Sequence, residues 1–200
     1  MEVEIKLNQY EIKEYGQLNS KQKEEAIEVF IEGFGHMMTF SKDREELKCL
    51  FSASFHPAYI YVYLESGKVL GILGIASNRI RPIKLELNQC ISLFGKFKGS
   101  IIYKQMSSIF QSQAVKNDTD LYIDVLATSK EARGRGVESK LLEYAFSLSQ
   151  YKECYIEVLS KNLNAKRLYE KSGFIISKKK IFSFTVLMGL GYPIRMKRNN

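Results

Sequence analysis

Between residues 121 and 177 the apolar pattern alternates between two periods, and that alternation restricts the fold more than any other feature of the chain. Leu121, Ile123, Val125 and Ala127 recur at every second position, opposite Asp120, Tyr122, Asp124 and Leu126, which is the pattern of a strand. Val137, Leu141, Tyr144, Ala145 and Leu148 then fall on one helical stripe over 136–148. A strand over 154–159, a helix over 164–172 and a strand over 174–177 repeat the order. Strands joined through helices imply crossover connections, so the sequence predicts an α/β layer.

The preceding residues supply the rest of such a layer. Val3, Ile5 and Leu7 alternate with charged residues as in a half-buried strand. Ala26, Ile27, Phe30 and Ile31 carry helical spacing over 20–32, and a short helix over 43–51 has Ser41 or Asp43 as its cap. Strands over 59–64 and 69–76 meet at Ser66-Gly67, a hairpin signal. The first of them sets Tyr59, Tyr61 and Tyr63 against Ile60, Val62 and Leu64. Residues 79–117 read as two helices, one with Ile83, Leu87, Ile91 and Phe94 on a stripe, the other with Ile102, Met106, Ile109 and Phe110. Gly95 and Gly99 stand between them as breakers, and packing onto the domain is preferred to a membrane-surface role. A last strand over 193–197 would close the sheet. The expected fold is α/β, a mixed central sheet flanked by helices in one domain spanning 1–200, with a helical insertion at 79–117 between the third and fourth core strands.

Charge narrows the ligand class without choosing within it. The net charge of +8 is uneven: residues 1–56 carry 7 basic and 11 acidic side chains, residues 57–200 carry 23 and 11. The basic portion attracts anions, be they nucleic acid, anionic lipid or a polyphosphate cofactor. Cys49, Cys90 and Cys154 have neither disulfide-framework nor zinc spacing, and His36 and His56 match no metal motif. Met1 opens an acidic, mixed segment rather than a signal peptide, and the longest apolar stretch, 181–194, is too short for a membrane span. A cytoplasmic protein without a membrane role is the expectation.

Two motifs carry chemistry. Ala132-Arg133-Gly134-Arg135-Gly136-Val137 lies between an apolar strand and an amphipathic helix. The first backbone N–H groups of a helix lack intrahelical acceptors and face the positive end of its dipole, so such a turn binds anions. Two glycines permit close approach, and Arg133 and Arg135 add forked donors. One helix and one strand later comes Asn162-Leu163-Asn164-Ala165-Lys166-Arg167-Leu168-Tyr169-Glu170-Lys171-Ser172-Gly173-Phe174. This ordered pair of motifs, across residues 121–174, resembles the GNAT superfamily of N-acetyltransferases.

The resemblance implies that Leu126 and Thr128 lend backbone groups to the pantetheine arm of acetyl-CoA. It implies that Arg133, Gly134, Arg135, Gly136 and Val137 surround the pyrophosphate and that Asn162 contacts the cofactor arm. Tyr169 matches the tyrosine beside the cofactor sulfur, and with a pKa near ~10 it can protonate a leaving thiolate. The proton of the attacking amine needs an acceptor: Asp120, Asp124 and Glu157 qualify by position, Asp124 first. Phe34, His36, Met37, Met38 and Phe40 are candidates for an apolar acceptor pocket, and the 79–117 helices for a lid or a homodimer contact. The expected function is acetyl transfer from acetyl-CoA to a primary amine, on a small molecule or a peptide. A non-catalytic acyl-CoA-binding sensor or interaction protein is the alternative; nucleic-acid binding, suggested by Arg133, Arg135, Lys178 to Lys180 and Arg195 to Arg198, ranks below both. One departure stands out. Glu138 occupies a position where the family usually has Gly or Ala, and cofactor binding should survive if its side chain points outward.

Overall fold

A computed structural model describes residues 10–182, 184–187 and 189–199. The strand expected over 3–7 lies outside the described residues. In chain order the elements are β1 (Tyr10–Glu14), α1 (Ser20–Phe34), α2 (Arg44–Ser52), β2 (Ile60–Glu65), β3 (Lys68–Ala76), α3 (Leu87–Phe94), α4 (Lys96–Phe110) and β4 (Asp120–Thr128). Then follow α5 (Val137–Ser147), β5 (Glu153–Leu159), α6 (Leu163–Lys171), β6 (Ile175–Lys179), α7 (Phe184–Leu187) and β7 (Pro193–Asn199). Among the described residues the strands form one seven-stranded sheet in the order β1-β2-β3-β4-β5-β7-β6. Its β4–β5 pair is parallel and the others are antiparallel, which makes the sheet mixed. No described helix is long and apolar enough to cross a membrane.

Local chemistry starts and stops these elements. Asn19 and Gln22 form a reciprocal capping box at α1, and the Asp43 carboxylate accepts from Glu45 N at 2.8 Å to cap α2. Ser66 (φ 51°) and Gly67 (φ 77°) turn the β2–β3 hairpin with left-handed backbone at both positions, as a tight two-residue turn requires.

The sheet separates two cores, and strand alternation assigns residues to each. Ile60, Val62 and Leu64 of β2 pack with Ile72, Val125 and Ala127 beneath α1–α4. Tyr61 and Tyr63 face the other way, onto Val137, Leu141 and Ala145 of α5. Phe30 is fully buried at the centre of the first core, with Phe51, Phe55 and Phe34 centroids at 4.7, 5.2 and 5.2 Å. Burying one such ring contributes roughly 1.5–3 kcal/mol.

The 79–117 segment belongs to this core. Leu85, Cys90, Ile102 and Met106 are buried in it, and Tyr103 and Phe110 pack against it. Ile83, expected on the first helical stripe, is instead extended in a β-bridge with Phe55, and the helix begins only at Leu87. Gly95 (φ 78°) makes the break between α3 and α4, whereas Gly99 lies inside α4, where the helices touch backbone to backbone. β7 also departs from expectation. It does not close the sheet but inserts between β5 and β6, leaving β6 as an edge strand with every residue exposed.

A Cβ at Gly99 would stand 2.3 Å from Cys90 O, a backbone atom that cannot swing away. Gly99→Ala should therefore push α3 and α4 apart and cost about 1–3 kcal/mol. Thermal unfolding would register this as a lowered midpoint; an unchanged midpoint would mean the contact is looser than described.

Candidate active site

The site is produced by an incomplete strand pair. β4 and β5 run parallel, but their pairing covers only Asp120 to Ile123 against Glu153 to Ile156. Beyond this the two strands fork apart, and a cleft of about 770 Å³ opens between them. Asp124, Leu126 and Thr128 line it from β4, and Glu157, Val158 and Leu159 from β5. Ser129 N donates to Leu70 O of β3 at 2.9 Å. By alternation along the strand, the main-chain groups of Leu126 and Thr128 point the opposite way, into the fork, where β5 no longer meets them.

The glycine-rich turn closes the wide end of the fork. After a 3-10 turn at Lys130–Ala132, Gly134 (φ 77°) and Gly136 (φ 81°) adopt left-handed backbone, and Gly136 opens α5 with no side chain capping its first N–H groups. Arg133, Gly134, Gly136 and Val137 all line the cleft. The side chain of Arg135 does not; it pairs with Glu65 at the end of β2. Thr128 is buried, and its hydroxyl is left without a hydrogen-bond partner. An orphaned buried hydroxyl beside an uncapped helix start and unpaired strand backbone is the polar surface that an extended ligand with phosphate and amide groups requires.

Glu138 is the discordant group. Its side chain turns inward and lines the cleft with Thr128, Arg133 and Tyr169, so the outward orientation does not hold. Burial raises its pKa above the ordinary carboxylate range, against the opposing pull of the Thr128 hydroxyl and of the Arg133 charge. The hydroxyl stands close to the carboxylate without forming a hydrogen bond of full geometry.

Tyr169 projects from α6 into the same cleft, 7% exposed, with its ring edge-on to Phe174 at 6.0 Å. Burial raises its pKa, and the Glu138 charge adds to the rise, so the phenol keeps its proton at any ordinary pH. Asn162 lines the cleft as the N-cap of α6, its carboxamide oxygen accepting from Ala165 N at 3.1 Å. Its amide group is the part left to reach a ligand.

Asp124 lies where the fork opens, and Arg81 grips it in a buried ion pair with Nη2 2.8 Å from each carboxylate oxygen. Burial pushes the Asp124 carboxyl up to about 6; Arg81 pulls it down and Glu157 adds to the rise. Glu157 faces the cleft as well, paired with Lys180 at 2.9 Å. Asp120, also considered as a base, does not line the cleft; its carboxylate accepts from Asn117 Nδ2. Of the five residues considered for an acceptor pocket, Phe34, His36 and Met37 line the cleft, whereas Met38 is in the core and Phe40 packs on Phe94. Arg81 was not singled out by sequence, since nothing local marks a partner 43 residues away. A second groove of about 890 Å³ runs along α1 and α2, but its charges largely pair with one another, Lys48 with Glu28 and Glu45 and Lys68 with Glu131.

Comparison with known proteins agrees with this geometry. Residues 24–174 match the acetyltransferase (GNAT) family. Among solved structures, a GCN5-related N-acetyltransferase from Kribbella flavida superimposes with a TM-score of 0.61 at 15% identity, over 96% of this chain and 98% of that one. Ard1 from Thermoplasma volcanium gives 0.56 at 17% identity over 95% and 97%. The NatC complex bound to Gag peptide and CoA gives 0.57 at 16% over 96% and 99%. No curated protein sequence matches the chain. At these identities the structures establish the fold, and the family match extends over most of the chain. The chain belongs to the GNAT family of acetyltransferases.

Proposed function

We propose that this protein transfers an acetyl group from acetyl-CoA to a primary amine on a small molecule or peptide. The observation that carries the proposal is the fork itself. It combines unpaired strand backbone, an uncapped helix start and a buried phenol in one cleft. In this reading the main chain of Leu126 and Thr128 holds the pantetheine arm by strand-like hydrogen bonds. Arg133 and the backbone of Gly134, Arg135, Gly136 and Val137 receive the pyrophosphate, and Asn162 braces the arm from the β5 side. A thioester supplies an activated acyl carbon. The amine nitrogen forms the new bond there as the C–S bond breaks, Asp124 accepts the proton that the nitrogen sheds, and Tyr169 protonates the departing sulfur. Phe34, His36 and Met37 wall the end of the cleft nearest α1 and would contact the acceptor. The free thiols of Cys49, Cys90 and Cys154 suit the cytoplasm as its compartment.

Calorimetric titration with acetyl-CoA and desulfo-CoA, followed by thiol-release assays over a panel of amines, tests the proposal directly. One-to-one binding with turnover of some amine is expected; no binding at millimolar ligand would refute it. The inward Glu138 gives the non-catalytic alternative its one supporting observation, because a carboxylate in the cleft weakens cofactor binding. Tyr169→Phe separates the two readings. If Tyr169 is the general acid, kcat should fall tenfold or more with acetyl-CoA affinity unchanged; a binding protein would lose nothing.

Glu138 leads to a pH-dependent expectation. A pyrophosphate brought near it opposes ionisation of its carboxyl, so binding takes up a proton and affinity must fall as pH rises through the titration of Glu138. Glu138→Gln should bind acetyl-CoA more tightly than the parent above neutral pH and lose that part of the pH dependence. Dissociation constants measured between pH 5.5 and 8.5 for both proteins check this, and parallel curves would count against it.

A further inference from the structure

We propose that Arg81 is a positioning residue for acetyl transfer, fixing the Asp124 carboxylate at the opening of the β4–β5 fork and fastening the end of α4 to the same point. The inference rests on the reading that Asp124 accepts the proton of the amine.

The sheet itself does not hold Asp124. On its β3 side the register shifts between Gly74 and Ile75: Gly74 lies opposite Val125 and Ile75 opposite Ile123, so Asp124 is the extra residue of a bulge. On its β5 side the pairing has already ended at Ile123. A bulge re-aims the side chain that it carries, and nothing in either ladder then fixes the aim. Arg81 does so. Its Nε donates to Asp124 Oδ2 at 3.0 Å and its Nη2 reaches both carboxylate oxygens. Two planar groups joined by parallel hydrogen bonds lock each other in rotation as well as in distance.

The remaining donors of the same guanidinium go elsewhere. Nη2 also donates to Ile109 O at 3.1 Å and Nη1 donates to Ser112 O, which fills acceptors at the C-terminal end of α4. Two residues on, Ala114 O accepts from Arg195 Nη2 of β7 at 2.8 Å. The segment leaving α4 is thus tied by Arg81 to Asp124 and by Arg195 to β7. The side chains of Arg81 and Asp124 are only 10% and 8% exposed, so water does not compete effectively for the pair.

The charge balance around Asp124 explains why a cation must be there. Glu157 on β5 opposes ionisation of the carboxyl, and burial opposes it more strongly. Tyr122 on β4 lies under both Arg81 and Arg195, and His36 lines the cleft from the α1 side. The end of α4 offers carbonyl groups alone to Arg81. Without Arg81 the buried carboxyl beside Glu157 would hold its proton at neutral pH and could not accept another.

The test uses the full chain with Arg81→Gln, Arg81→Lys and Asp124→Asn. With acetyl-CoA and an amine turned over by the parent protein, kcat/KM is measured from pH 5 to 9, alongside acetyl-CoA affinity and thermal unfolding. The parent should lose activity as pH falls through about 6. Arg81→Gln should move that limb to higher pH by one unit or more, a tenfold loss on its slope, with cofactor affinity unchanged. Arg81→Lys, which keeps the charge and loses the fork, should leave the limb near its parental position and lower kcat. Asp124→Asn should abolish the limb. An unmoved limb in folded Arg81→Gln, or parental kcat in Arg81→Lys, would overturn the proposal while leaving acetyl transfer intact. Carbon NMR titration of labelled aspartate gives an arm that needs no acceptor: the Asp124 midpoint must rise in Arg81→Gln, and an unchanged midpoint overturns the proposal. A parent protein that fails to bind acetyl-CoA and to turn over any amine would instead sink the functional reading.

Discussion

Everything distinctive about this protein follows from the point at which β4 and β5 cease to pair. A parallel strand in the middle of a sheet normally satisfies its backbone on both sides. Here β4 is matched by β3 as far as Thr128 but by β5 only as far as Ile123. The backbone groups beyond that point would be costly to bury unpaired, so the fork persists only if something polar can enter it. The rest of the structure supports the opening. The layer of α1–α4 holds one face of β4, α5 starts at the wide end, and α6 brings Tyr169 and Asn162 to the opposite arm.

Within the cleft, opposed charges are set at different depths. Arg133 and the start of α5 are attractive to anions at the wide end, and Glu138 stands among them as a repulsive element. At the opening of the fork, Asp124 and Glu157 make an acidic pair whose charge is offset by Arg81 and Lys180. The two ends of the cleft therefore present separate fields to whatever enters it. The Glu138 carboxylate is also close enough to Tyr169 to hold the phenol more firmly protonated.

How much of this could be read from sequence depends on how local the determinant is. The strands and helices between 120 and 179 fall within about two residues of expectation because each carries its own periodicity, and the hairpin at Ser66-Gly67 is marked by its turn residues. The glycine-rich turn was legible for the same reason. β1 at Tyr10–Glu14 was missed, since an edge strand with no fully buried residue shows little hydrophobic contrast. Ile83 matched a helical stripe yet pairs with Phe55, a tertiary contact that overrides spacing. At the site, neither the inward turn of Glu138 nor the grip of Arg81 on Asp124 has a local marker. Both depend on where β4 lies relative to segments distant in sequence.

The position of β7 has a consequence for the order of assembly. β5 pairs with β7 along its whole length, from Glu153 opposite Asn199 to Leu159 opposite Pro193, and among the described residues β6 is joined to the sheet only through β7. While the chain is being made, β5 and the Glu157 arm of the fork therefore have no outer neighbour until residues 193–199 have emerged. The α1–α4 core and the β2–β3 hairpin use earlier residues and can settle first. A nascent chain would thus acquire its glycine-rich turn before the cleft has both walls in place, and the fork would be completed by the strand made last among those described.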